Sequence, residues 1–452
     1  MKYVLKFSLV ALLLHALTSQ AALTVTNIAS GNFASHSLFL KSDGSLWAMG
    51  TNGVGQLGDG TFNKANRPEQ IVASGVTAIA AGGQHSLFLK SDGSLWAMGN
   101  NQNGQLGDGT YNNTNRPEQI IAAGVTAIAA GGAHSLFLKS DGSLWAMGAN
   151  NDGQLGDGTT DSGNYATNRP EQIVAGGVTA VAAGGSHSLF LRSDGSLWGM
   201  GWNVFGQLGA ATRVDTTNLP DQIVTGGVTA IAAGYFHSLF LKSNGSLWAM
   251  GNNGGKLGDG TSNNSYQPEQ IVASGVTAIA AGGSHSLFLK SDDSLWAMGN
   301  NSLGQLGDGT LNNTNRPEKI VAGGVTAIAA GRVHSLFLKS DGSLWVMGDN
   351  SYGQLGDGFT NFNSAIPEQI FPSPQPVLSG VVSLQTDMQL NATSGFGGNF
   401  YLLGSTDLTL PVSQWTPLAT NSITARGTNN YSVTLTNAFN PGGQQFYILQ
   451  SQ

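Results

Sequence analysis

Seven histidines, each followed by serine, recur along this chain: His36, His85, His134, His187, His237, His285 and His334. Three kinds of chemistry could use them or their neighbours. A ring of imidazoles could bind a transition metal, His-Ser pairs could activate a nucleophile, and the nearby Gly-Asp-Gly loops could hold calcium. The residue context argues against each. No second ligand stands at helical or strand spacing from a histidine, as a zinc site requires. No acid is patterned with the His-Ser pairs to complete a triad. A loop such as Gly107-Asp108-Gly109 with Asn112 and Asn113 offers one carboxylate, too few for a calcium loop, and the fourth copy has Ala210 where aspartate is expected. Gly255-Lys256 fails as a phosphate loop, with Met250 at the place of the first glycine and Leu257 at that of the hydroxyl residue. The absence of cysteine excludes disulfides and thiolate ligands. We expect no catalytic residue, no metal and no cofactor. The histidines read as structural, one per unit at the start of a strand, each held by a backbone partner.

The elements that carry them repeat as well. His36-Ser-Leu-Phe-Leu-Lys-Ser-Asp-Gly-Ser-Leu-Trp-Ala-Met-Gly50 returns in every copy at spacings of 49, 49, 53, 50, 48 and 49 residues, the signature of a repeat architecture. Within the second copy, Val76–Ala81 and His85–Lys90 are β-prone runs. Asp92-Gly93 then marks a hairpin, for which a type I′ turn is expected. Leu95–Met98 and Pro117–Ile121 complete four short antiparallel strands per unit, the composition of a propeller blade. Proline at the head of the last strand suits an edge. Leu38 and Leu40 alternate with Phe39, so both faces are apolar, as a sheet sandwiched between two neighbours requires. The alanine-rich run belongs nearest the axis, and the seven repeat tryptophans are expected to be buried anchors.

Every repeat proline from Pro68 to Pro317 precedes the next histidine by 17 residues, whereas histidine to following proline varies from 31 to 36. Constant stretches are packed frame, and the variable stretch, longest around Asp161 to Thr167, is exposed loop. Functional information should therefore sit where the copies disagree. Residues just before each histidine share one end of the blade with the loop after each Met-Gly. Most copies place only glycine, serine, asparagine or alanine there. The fourth has Trp202, Val204 and Phe205, and the fifth has Tyr235 and Phe236. Adjacent units give adjacent blades, so these five are expected to form one partner-binding cluster. Arg332, in the seventh copy, is expected across the channel mouth from them.

The motif Ala-Gly-Gly-x-His-Ser-Leu, Asp-Gly, Leu-Trp-x-Met-Gly and Gly-Gln-Leu-Gly-Asp-Gly, over Leu23 to about Phe371, resembles the regulator of chromosome condensation repeat family. The resemblance implies an all-β, seven-bladed β-propeller; seven full units with no capping repeat point to a closed ring, completed by the run Leu23 to Ile28 near Glu368 to Phe371. The family name says less about activity, since one fold hosts many functions; the absence of a triad and of paired carboxylates is what points to a binding protein rather than an enzyme. Founding members look like nucleotide-exchange factors for a small GTPase, while secreted bacterial members include inhibitors that bind proteins across one propeller face.

The second precedent fits the rest of the chain. Lys2, Lys6 and the apolar run Phe7 to Leu17 read as a signal peptide over 1–21, too short to span a bilayer. The net charge of −7 becomes −9 without Lys2 and Lys6, which disfavours nucleic acid as a partner. A Pro-rich linker at 372–376 separates the propeller, 22–371, from a Thr/Ser/Asn-rich segment, 377–452. Phe400–Leu403, Tyr431–Leu435 and Phe446–Leu449 of that segment read as strands, and the segment resembles the small β-sandwich modules that end exported bacterial proteins. The expectation is an exported, monomeric, non-enzymatic propeller whose one face meets a protein or a cell-surface polymer. The alternatives are an exchange-factor-like regulator and a carbohydrate-active or carbohydrate-binding protein.

Overall fold

Each unit of about fifty residues closes on itself as one four-stranded antiparallel sheet in sequence order. In the first, β1 (Val25–Ala29), β2 (His36–Lys41), β3 (Leu46–Gly50) and β4 (Ala65–Val72) pair edge to edge. Six more blades follow over 76–121, 125–174, 178–224, 228–272, 276–321 and 325–371. These coordinates are a computed structural model that describes residues 23–160, 167–209 and 215–371, with the backbone of six further strands between 377 and 451. The expected leader at 1–21, the insertion at 161–166, Ala210 and the expected linker at 372–376 lie outside the described residues. The six later strands pair as two three-stranded antiparallel sheets. Among the described residues no helix is long and apolar enough to cross a membrane.

The alternation read from the sequence decides the packing. Leu38, Leu40, Leu46 and Leu57 on one face of the first blade meet Val76, Phe88 and Met98 on the facing side of the second. The same layer recurs between all neighbours, and the repeat phenylalanines are fully buried within it. Burying one such side chain stabilises the fold by roughly 1.5–3 kcal/mol. The alanine-rich strands of neighbouring blades pack on one another around the axis, where bulk is excluded. Val25, Ile28, Phe39 and Met49 of the first blade share a cluster with Leu336, Leu344 and Ile370 of the seventh, so the ring is closed. The N-terminal run closes it as the inner strand of its own blade, not by pairing with the last outer strand.

Two expectations are corrected. The Asp-Gly hairpin is not type I′. Gly44 N–H donates to Lys41 O (2.9 Å), Lys41 pairs back to Ser45, and only Gly44 has positive φ, 74°. This is a three-residue loop, a type I turn followed by a left-handed residue. Asp43 is free to act instead as an acceptor, taking Ser45 N–H at 2.9 Å and Ser45 Oγ–H at 2.6 Å, while Ser45 Oγ accepts from Trp47 Nε1 at 2.8 Å. The repeat tryptophans are not fully buried. They lie half-exposed outside the phenylalanines, each covered by a lysine or arginine 3.6–4.6 Å from its ring.

Candidate functional site

The seven histidines form a belt between blades. Each Nε2 lies 2.8–3.0 Å from the Oγ of the serine one repeat on, from His36 with Ser86 to His334 with Ser37. Each of those serines donates its own proton to a main-chain carbonyl of the intervening loop, as Ser86 does to Gln56 O at 2.8 Å. The imidazole must therefore be the donor, which leaves Nδ1 bare, and all seven Nδ1 atoms are buried without a partner. The partner is thus a neighbouring blade's serine, not the backbone. Complete burial lowers the imidazoles to about 4 for His36 and His134 and about 3 for His85, His187, His285 and His334, with His237 also well below its usual range. A neutral donor facing a committed hydroxyl cannot act as a general base toward it. The ring also needs the glycine before it: a methyl on Gly82 would sit 2.3 Å from His85 Cε1.

The loop aspartates are engaged locally. Asp108 accepts from Asn101 Nδ2 (2.9 Å), Thr110 N (2.8 Å) and Thr110 Oγ1 (2.8 Å). Among the described residues no three His, Cys, Asp or Glu side chains gather as a metal site. Lys256 is nearly buried beside Asn252 Oδ1, and burial lowers its amine to about 8.

At the end of the blades where the histidine strands begin, the channel mouth is plugged. The first repeat reaches its histidine through Gly31-Asn-Phe-Ala-Ser35, two residues longer than the equivalent loop elsewhere. Asn32 Nδ2 crosses the axis to donate to Ala183 O and Ala233 O, both at 2.9 Å, at the ends of the inner strands of blades four and five. Behind it, Arg332 N donates to Ala34 O (3.1 Å). The insertion escapes sequence reading because no repeat proline precedes the first histidine to set the expected count.

The plug joins the predicted residues into one arc. Trp202 meets Phe236 edge-on at 4.8 Å and Phe205 at 5.5 Å, and Phe205 lies 5.2 Å from Phe236. Tyr235 lies 3.9 Å from Phe236 and stacks on Phe33 at 4.8 Å. The Arg332 guanidinium lies over the Phe33 ring, 5.2 Å from its centre. The five rings are half-buried, Arg332 is exposed, and Val204 is the exposed apolar member at 38%. Phe33 is thus a member that comparing the copies did not find.

The two ends of the propeller differ. Of the exposed large apolar residues among those described, Phe62, Tyr111, Val204, Leu219, Leu311, Tyr352, Phe362 and Ile366 all lie in mouth-end loops or the mouth-proximal half of an outer strand. Leu23, at the start of the described chain, is the exception. The opposite end carries the Asp-Gly turns and the cations that cover the tryptophans.

Residues 112–407 match the RCC1-like domain model, and residues 25–56, 76–105 and 43–89 match models of the regulator of chromosome condensation (RCC1) repeat. Among solved structures, human WBSCR16 is similar at 25% identity over 74% of this chain and 95% of that one, with a TM-score of 0.65. Prp20p from Saccharomyces cerevisiae, described with its binding to Gsp1p and histones, is 23% identical over 76% of this chain and 90% of that one, TM-score 0.66. Yeast RCC1 (Prp20) bound to Kap60 is 22% identical over 74% and 86%, TM-score 0.64. No curated protein matches the chain in sequence.

Proposed function

The chain belongs to the RCC1-like domain family, a family of protein-interaction propellers that bind and regulate rather than catalyse, and on that premise we propose that it is a non-enzymatic docking protein whose mouth face receives a protein partner. The observation that carries this reading is the aromatic arc from Phe205 to Phe33, where repeats that are otherwise nearly identical place their bulkiest differences side by side. Trp, Tyr and Arg dominate binding energy at interfaces, and exposed apolar surface confined to one face marks a contact site. The leader-like residues 1–21 add export to the secreted or cell-envelope compartment. The segment after the Pro-rich linker, 377–452, is read as a small β-sandwich-like module for surface attachment or sorting.

The test is a Trp202→Ala, Phe205→Ala, Phe236→Ala variant, compared with wild type against a partner recovered from the source cell's envelope. Affinity should fall by at least about 100-fold, as loss of hot-spot side chains implies, with thermal unfolding still cooperative. Unchanged affinity in a folded variant would remove the docking assignment.

A further inference from the structure

Arg332 ends the aromatic arc with a charge that nothing nearby answers. Among the described residues the Arg332 guanidinium makes neither an ion pair nor a hydrogen bond. Its surroundings nevertheless hold it in place. Its main chain is tied to the plug through Ala34 O, and its guanidinium lies over the Phe33 ring, on which Tyr235 stacks. The carboxylate on the next loop of the same blade, Asp349, is buried, with one oxygen taken by Ser351 and the other by Gln354. The corresponding cations of the hairpin strands, such as Lys90 and Lys339, sit over tryptophans at the far end.

A guanidinium stacked on a ring keeps its edge N–H groups free, and that edge matches a carboxylate in two parallel hydrogen bonds. Stacking has already removed much of the side-chain freedom that binding would otherwise cost. Beneath it Asn32 is hydrogen-bonded across the axis to Ala183 O and Ala233 O, so a ligand meets a floor at the mouth. We propose that the mouth recognises a protein segment in which an aspartate or glutamate adjoins an aromatic or branched apolar residue. The carboxylate pairs with Arg332, and the apolar side chain packs on Phe33, Tyr235 and Phe236. The segment lies across the mouth without entering the channel. This rests on the mouth being the docking face.

The probe is a random twelve-residue peptide display library panned against the full chain. Wild type should enrich peptides with an acidic residue beside an aromatic or branched one. Arg332→Ala should weaken synthetic copies of those peptides by about 10- to 100-fold, the range of a charged hydrogen-bonded contact, and Arg332→Glu should enrich basic peptides instead. Arg332 is exposed, so both variants should keep the wild-type Tm. If wild type and Arg332→Glu enrich the same sequences, or no peptide is enriched, the acidic-segment proposal fails while the docking face can still stand on its own test. If polygalacturonate binds in an Arg332-dependent way and the peptides do not, the ligand is a uronate polymer and the protein assignment is wrong.

Discussion

At the residue scale the histidine belt dominates. In the fold the imidazoles are held neutral, six of them near 3 to 4, against an unfolded value of about 6.5. Between these values the unfolded chain binds more protons than the native one, so stability rises with pH across that window. The contribution is fully present above about pH 6.5 and is lost as pH falls toward the folded values. Each histidine accounts for at most about 1.4 kcal/mol per pH unit. Thermal unfolding should therefore give a flat Tm above pH 7 and a steep fall between pH 6 and 4. His134→Ala should lower Tm at pH 8 and make the acid fall shallower; an equally steep fall would disconnect the belt from acid sensitivity. That the histidines are structural is legible from one strand-initial copy per repeat. That the partner belongs to the next blade is not, because a serine follows every histidine and the period cannot tell a contact within a unit from one across to its neighbour. Trp202, Phe205, Tyr235 and Phe236 are legible for the opposite reason: they break the repeat.

At the element scale the hairpin shows how far a dipeptide reaches. Asp-Gly announces a tight turn but suits both the two-residue primed form and the three-residue form found here. The choice is made by the side chains around it: Asp43 collects Ser45, which collects Trp47, and this only works when the aspartate keeps an ordinary right-handed backbone. The sixth copy tests the geometry naturally. Asp293 occupies the glycine position with φ 57°, a conformation that costs a non-glycine residue energy. Asp293→Gly should raise stability by about 0.5–1 kcal/mol in urea unfolding. A destabilised variant would mean that the side chain, and not the backbone, governs that turn.

At the scale of the whole molecule, seven units of alternating apolar strands and a constant spacing from proline to histidine were enough to read the number of blades and their strand order. How the ring shuts is less visible in sequence, since both ends could have shared one sheet. Instead every blade is built from a single unit, and the joint between the last and first is an apolar layer like the other six. Phe39→Ala, at the joint, should thus cost about 3–5 kcal/mol, the same as Phe137→Ala inside the ring. A markedly cheaper Phe39→Ala in chemical denaturation would mean that the joint opens on its own. The plug adds a matter of timing. Asn32 is made early in the chain, but the two carbonyls that seat it lie 151 and 201 residues later. Until the fifth inner strand exists Asn32 lacks the acceptors that seat it, so the hub sets only after more than half of the circle is made. Stacked repeats linked only to their neighbours can assemble from any point outward. A long-range tie of this kind instead couples distant blades, and it favours an outcome in which the wheel is either complete or not yet native.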